Sequence, residues 1–299
     1  MLKIGGGLLA ATLAPSLGWA CACGCGVFDV GTSSMFPDGA GGTAFLQYDY
    51  QDQNRNWSGA SQAPAANNDD KEIRTDFVTA GLQYMFNSSW GVQAEVPFAY
   101  RYFKTADGST TWGSLGDIRV EGIYTGLMAD LSAGVTFGVK LPTGNDNFNP
   151  GLVDRDTQIG SGSTDILLGG FYRHNLDRNQ KWDWFAQLQL DVPVLIQAQY
   201  RPGVELDTAA GIDYKGWSVG RVKISPVGQV IFSERTSDSG AAANSENSGY
   251  QHILLSPGVE FHIHPVKFYA DVELPVFQNV TGNQVVAPVL FKASVSFMF

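Results

Sequence analysis

Between residues 90 and 103 every second side chain is apolar. Trp90, Val92, Ala94, Val96, Phe98, Tyr100 and Tyr102 alternate with Gly91, Gln93, Glu95, Pro97, Ala99, Arg101 and Phe103. Successive side chains of an extended strand point to opposite faces, so one face of this segment suits lipid and the other suits water. The same phase recurs at 43–51, where Leu46, Tyr48 and Tyr50 oppose Gln47, Asp49 and Gln51. It recurs again at 117–126, and at 133–141, where Val135, Phe137, Val139 and Leu141 oppose Thr136, Gly138 and Lys140. A strand that crosses a membrane needs about 9–11 residues and a helix about 20 apolar ones. These segments have the first length, and no stretch of the chain approaches the second. Any insertion into a membrane must therefore be by strands.

Eight further segments of suitable length, at 73–86, 165–174, 182–194, 204–215, 220–233, 252–264, 266–277 and 287–299, bring the expected number to about twelve. The links between them alternate in length. Long polar links run at 52–72, 104–116, 144–164, 195–203, 234–250 and 278–286, and short ones at 87–89, 129–132, 175–181, 216–219 and around Pro265. That is the pattern of an all-β, transmembrane, antiparallel up-and-down β-barrel with long loops at one end and short turns at the other. Trp90, Tyr102, Trp112, Tyr172, Trp182, Trp184, Tyr214, Trp217 and Tyr250 fall at strand ends and suit interfacial girdles. The last strand ends on Phe299, as barrels handled by the outer-membrane assembly machinery do.

The N-terminus sets the compartment. Lys3, an apolar run from Ile4 to Ala14 and the small-residue site at Gly18-Trp19-Ala20 follow the order of a secretory signal. The expected organisation is a signal peptide over 1–20, a Cys-rich periplasmic segment over 21–41 and a barrel over 42–299. The barrel would sit in the outer membrane of a Gram-negative bacterium with both termini periplasmic. A formal net charge of -10 argues against nucleic acid as a partner. The expected partners are outer-membrane lipid, the barrel assembly machinery, a small-molecule solute and a periplasmic protein.

The polar phase of the strands gives the candidate pore-lining residues: Asp49, Glu95, Arg101, Asp117, Arg119, Glu121, Lys140, Asp165, Arg173, Asp191, Glu260, Asp271, Glu273 and Lys292. Charges of both signs on facing walls either screen one another across water or pair into a network that closes the pore. Acids outnumber bases, which favours cations or neutral solutes.

Two sets of residues could hold a metal. Cys21, Cys23 and Cys25 are the chain's three cysteines; as thiolates they could ligate Cu(I) or zinc, or take part in a disulfide with a partner. His262 and His264 share a strand face with Glu260 and with it could ligate zinc or copper, although a place in the lumen close to the turn at Pro265 explains them better. No other cofactor is indicated. The sequence contains neither a Gly-x-Ser-x-Gly elbow nor a His-Glu-x-x-His motif, so no enzyme is expected.

Four phrases go further than periodicity. Gly113-Ser114-Leu115-Gly116-Asp117, Val139-Lys140-Leu141-Pro142-Thr143-Gly144, Gly160-Ser161-Gly162-Ser163-Thr164-Asp165 and Glu273-Leu274-Pro275-Val276-Phe277-Gln278-Asn279-Val280 together resemble the porin-like outer-membrane barrel family labelled a phenol-degradation meta-pathway transporter. The likeness covers about residues 110–299. It implies a barrel and, by label, uptake of small aromatic compounds; the Cys-rich start departs from the family pattern. Three functional readings follow. One is a porin-like channel for small solutes, aromatic or cationic. A second is a barrel scaffold for a metal-handling or electron-transfer assembly working through Cys21–Cys25. The third is an outer-membrane enzyme whose Ser and His lie far apart in sequence.

Overall fold

The computed structural model describes residues 26–31, 36, 37, 39–149 and 151–299. Twelve strands follow one another around a closed wall: β1 (Gly41–Gln53), β2 (Asp70–Met85), β3 (Trp90–Thr105), β4 in two pieces (Ser109–Leu115 and Ile118–Tyr124), β5 (Ala133–Leu141), β6 (Ser163–Asn175), β7 (Trp182–Ile196), β8 (Glu205–Tyr214), β9 (Val222–Arg235), β10 (Tyr250–Ile263), β11 (Val266–Val286) and β12 (Leu290–Met298). Each pairs antiparallel with the next, and β12 returns to β1 with Asp49 opposite Lys292 and Leu46 opposite Val295. Closure gives each of the twelve strands a partner on both sides, which is the condition for strands to cross lipid. The seam is fastened at the chain end, where Gly42 and Phe299 exchange two backbone hydrogen bonds of 2.7 and 2.8 Å. A Cβ on Gly42 would meet the Phe299 ring, so a larger residue there makes that ring shift.

The alternation read from the sequence is the alternation of the wall. Leu46, Tyr48, Val96, Phe98, Tyr100, Val120, Phe137, Val139, Leu188 and Phe291 lie exposed on the outside, while Asp49, Arg101, Asp165, Asp191, Glu273 and Lys292 are buried inside. At the short-turn end the aromatic residues form clusters on the outer surface. Trp90 packs on Tyr124 with ring centroids 4.6 Å apart, Tyr172 on Trp184 at 5.2 Å, and Trp182 on Tyr214 at 4.7 Å. Trp112 and Tyr250 do not join a girdle. Trp112 is 6 % exposed and stacks on Phe148 within the mouth, and Tyr250 is buried against His252.

The reason for Trp112 lies in a register change. Leu115 pairs with Phe98 but Arg119 pairs with Glu95, so β4 carries one extra residue between its two pieces. A bulge of that kind reverses which side chains face inward. Positions of even number point in before Gly116 and positions of odd number after it. Residues 109–115, expected within a loop, are therefore strand. The same holds at 278–286, where β11 continues above the membrane-facing band and pairs with a small hairpin, Arg55–Gly59 and Ser61–Gln62. Gln278, Asn279, Thr281, Gly282, Asn283 and Gln284 interrupt the alternation there, which leaves no continuous apolar phase to read.

Candidate functional site: the barrel lumen

Twelve strands enclose more space than inward side chains alone can fill, unlike a barrel of eight. Part of that space is taken by the chain's own N-terminal segment. Phe28 and Val30 are buried against Ala209, Ile231, Leu254, Ala287 and Leu290, with Phe77 alongside. Phe36 stacks on Phe171 at 4.6 Å and meets Phe185 edge-on at 6.2 Å. These residues of the segment 21–41 lie inside the barrel. They go there because inward positions on β2 and β6 to β10 carry apolar side chains, and apolar surface in a wet lumen is stabilised when covered.

Backbone groups brought into the lumen need partners, and the wall supplies them. The carbonyl of Val30 accepts from Lys292 Nζ at 2.6 Å, that of Gly31 from the Tyr269 hydroxyl at 3.3 Å, and that of Pro37 from Arg173 at 2.9 Å. The Gly31 amide donates to Gln187 Oε1 at 3.2 Å. Asp29 forms the ionic contact, 2.6 Å from the Arg119 guanidinium. Arg119 also lies 3.8 Å from Asp191, and Lys140 bridges Asp191 at 2.9 Å and Asp165. Segment and wall therefore share one charge network, Asp29–Arg119–Asp191–Lys140–Asp165.

Beside the segment an open cavity of about 300 Å³ remains along the β1 to β7 wall. Nine carboxylates border it, from Asp29, Asp49, Glu95, Asp117, Glu121, Asp156, Asp165, Asp191 and Glu205, against five cations, Arg101, Arg119, Lys140, Arg155 and Arg235. Phe28, Phe36, Phe45, Phe77 and Phe171 add aromatic surface. At the long-loop end the link between β5 and β6 folds over this cavity. Asp117 holds it by accepting from the Gly144 amide at 2.9 Å, the Ser161 amide at 2.8 Å and the Ser161 hydroxyl at 2.5 Å. Arg101 donates to the Thr157 carbonyl at 2.6 Å and to Thr75 Oγ1 at 2.9 Å. Phe148, Val153 and Ile159 of the link pack on Ile73, Phe103, Trp112 and Val285.

Of the residues assigned to the lumen by phase, Asp49, Glu95, Arg101, Asp117, Arg119, Glu121, Lys140, Asp165 and Asp191 border the cavity. The other five occupy inward positions away from it. Arg173 holds Pro37; Asp271 accepts from Ser256 at 2.8 Å and Tyr269 at 2.7 Å; Glu273 faces Lys292 at 3.5 Å; Glu260 sits opposite Tyr269 on β11. His262 and His264 are not brought into a metal site. Their ring centroids are 6.4 Å apart, His264 is exposed beyond the end of β10, and no group of three or more His, Cys, Asp or Glu suited to a metal occurs among the described residues. Cys21, Cys23 and Cys25 lie outside the described residues. Asp29, Phe28 and Phe36 were missed by the sequence reading. The available signal was the pair of apolar sets, one before the barrel and one at inward strand positions such as Phe77, Phe171, Phe185, Ile231 and Leu254.

Comparison with known proteins bears on the fold and the family. The family described as "Putative MetA-pathway of phenol degradation" matches residues 42–278. An outer membrane channel from Pseudomonas putida F1 is similar in structure at 12% identity and a TM-score of 0.66, over 90% of this chain and 100% of that one. The β domain of the Bordetella autotransporter BrkA is similar at 13% identity and a TM-score of 0.54, over 87% of this chain and 100% of that one. At these identities the likeness speaks for the closed barrel. No curated protein sequence matches the chain.

Proposed function

Because the chain belongs to this MetA-pathway phenol-degradation family, we propose that it is an outer-membrane channel for small solutes, narrowed by its own N-terminal segment. The observation that carries the reading is the cavity of about 300 Å³ left between that segment and the wall. A barrel built only as an anchor has no need of a charged, water-accessible space beside its plug. The similar Pseudomonas putida protein is described as an outer membrane channel, which agrees with this reading.

The lining sets the preference. Nine carboxylates against five cations favour cations over anions, and the phenylalanines of the same wall favour solutes with a flat apolar part. Small cationic or aromatic solutes are the proposed cargo, and no reaction is involved. In this reading the short turns and both termini face the periplasm, the long links face outward, and assembly machinery places the barrel in the outer membrane. The test is conductance across a planar bilayer with a salt gradient. Discrete steps whose reversal potential favours cations support the channel, and anion preference contradicts the assignment of the lining.

A second reading follows from the grip of the wall on Phe28 to Gly31, Phe36 and Pro37. The same segment leads directly from Cys21, Cys23 and Cys25, so a barrel that holds it could present those thiols to a metal or a periplasmic partner. Replacing all three cysteines with serine separates the readings, because a channel keeps its conductance and a scaffold loses its metal or partner.

A further inference from the structure

Phe45 of β1 lies flat on the lumen wall. A Cβ on Gly81 of β2 would stand 2.0 Å from its Cζ, 2.3 Å from Cε1 and 2.5 Å from Cε2. An atom in the ring plane beyond the tip would be much farther from both Cε atoms than from Cζ. The near-equal distances therefore put Gly81 under the ring, which covers it with one face and turns the other toward the cavity it borders. Three other inward rings already carry a cation of the chain. Arg101 stands 6.0 Å from the Phe77 centroid, Lys292 5.9 Å from that of Phe28 and Arg155 4.4 Å from that of Tyr200. Among the described residues no cation stands over Phe45, and it joins neither apolar cluster that holds the N-terminal segment.

Glu95 is next along the same row. Gly81 pairs with Phe45 on one side and with Glu95 on the other, so the ring over Gly81 lies one strand spacing, about 5 Å, from the Glu95 backbone. Both residues border the same cavity. Glu95 Oε1 accepts from Gln93 at 2.7 Å, and Oε2 has no hydrogen bond or ion pair among the described residues. Arg119, opposite Glu95 on β4, turns instead to Asp29 at 2.6 Å and Asp191 at 3.8 Å.

The negative face of the ring and the free carboxylate oxygen at its edge attract the same kind of partner. A divalent metal ion takes a full shell of oxygen ligands, and no group of three or more His, Cys, Asp or Glu suited to a metal occurs among the described residues. A quaternary ammonium ion is weakly hydrated and is recognised by an aromatic face. We propose that Phe45 and Glu95 form a seat for a quaternary ammonium head group, with its methyl groups on the ring and its charge beside Glu95 Oε2. The seat names the class of cation that the lumen selects. As a step in transport it rests on the channel reading, but the binding itself does not.

The test uses the full chain folded in octyl glucoside, a detergent without an ammonium group, titrated with choline chloride and followed by ligand-observed NMR. Potassium chloride at equal ionic strength controls for charge alone, and 3,3-dimethyl-1-butanol, the uncharged counterpart of choline, controls for shape alone. Saturable choline binding is expected, weakened about five- to tenfold in F45L, the size of a partly desolvated cation–π contact, and about tenfold in E95Q. G81A keeps both side chains but pushes the ring off the wall, and should weaken binding as F45L does. Absent choline binding, equal binding in all three variants, or equal competition by potassium or by the alcohol overturns the proposal. Circular dichroism checks that each variant is folded; E95Q and G81A carry the test if F45L does not fold. Bilayer conductance of the wild type is scored separately. A conducting protein that does not bind choline removes the seat and leaves the channel, whereas choline binding to a silent barrel upholds the seat and removes its part in transport.

Discussion

Replacing Asp29 with alanine tests whether the N-terminal segment is latched into the lumen. The Asp29–Arg119 contact of 2.6 Å is the one ionic tie among its described residues, with side-chain exposures of 22% and 18%. Truncating one partner of a desolvated, hydrogen-bonded charge pair costs 2–5 kcal/mol, much of it from the charge left behind. The low end applies, because Asp191 stands 3.8 Å from Arg119 and the pair is not fully dry. The loss is about 2 kcal/mol in favour of release, since Arg119 is rehydrated only when the segment moves away. At 1.4 kcal/mol per decade this raises the population with the segment displaced by roughly 30-fold. Single-channel recording reads that ratio as time spent at the larger conductance. R119A should act in the same direction, with Asp29 leaving for water. The D29A/R119A pair should show less than the sum of the two, as residues in direct contact do. Unchanged open time in D29A and R119A, with normally folded barrels, would refute the latch.

Three other outcomes follow from the same geometry. In D117N the acceptor of three hydrogen bonds from Gly144 and Ser161 loses its charge, which should cost about 1.5–3 kcal/mol of lid packing and raise hydrogen exchange across 143–162; unaltered exchange counts against the lid. L188R places a cation on the outward face near the middle of β7 and should destabilise the barrel in liposomes by about 2–4 kcal/mol, read from denaturant unfolding; a neutral effect there contradicts the lipid-facing assignment. The same lid should respond to pH. Asp154 is raised by burial and by Asp69 to about 7, so the packed link prefers its protonated form. Asp156 of the same link is raised by burial as well, so stability of the lid, full in acid, should fall as pH rises from about 4 through 7. Protease cleavage within 142–162 should increase over that window in wild type and not in D154N/D156N; a reversed or absent trend refutes the assignment.

Much of the wall was legible because lipid on one side and water on the other impose a period of two, and Phe137 beside Thr136 or Leu188 beside Gln189 reports its own orientation. Where that contrast vanishes, so does the signal. The upper part of β11, from Gln278 to Gln284, is mostly polar and has Val280 and Gln284 buried, so no lipid–water alternation marks it, and its pairing with Arg55–Gly59 came only from the structure. The bulge at Gly116-Asp117 broke the phase that would have identified residues 109–115 as strand. The lumen was legible as a set of inward positions and illegible as a site. Asp271 and Glu273 share the phase of Asp191, but which carboxylates border open space depends on where Phe28 to Gly31 and Phe36 lie. That placement rests on contacts between residues far apart in sequence, such as Gly31 with Gln187 and Val30 with Lys292, for which no local pattern exists.

The central claim is that a cation-preferring path runs beside the N-terminal segment, and the most direct measurement is single-channel conductance with reversal potentials for the purified wild-type protein in a planar bilayer. Small discrete steps with a reversal potential toward that of the cation are predicted, from a passage bordered by nine carboxylates and five cations. A folded barrel that stays silent both as wild type and as D29A, or one that selects anions, would contradict it.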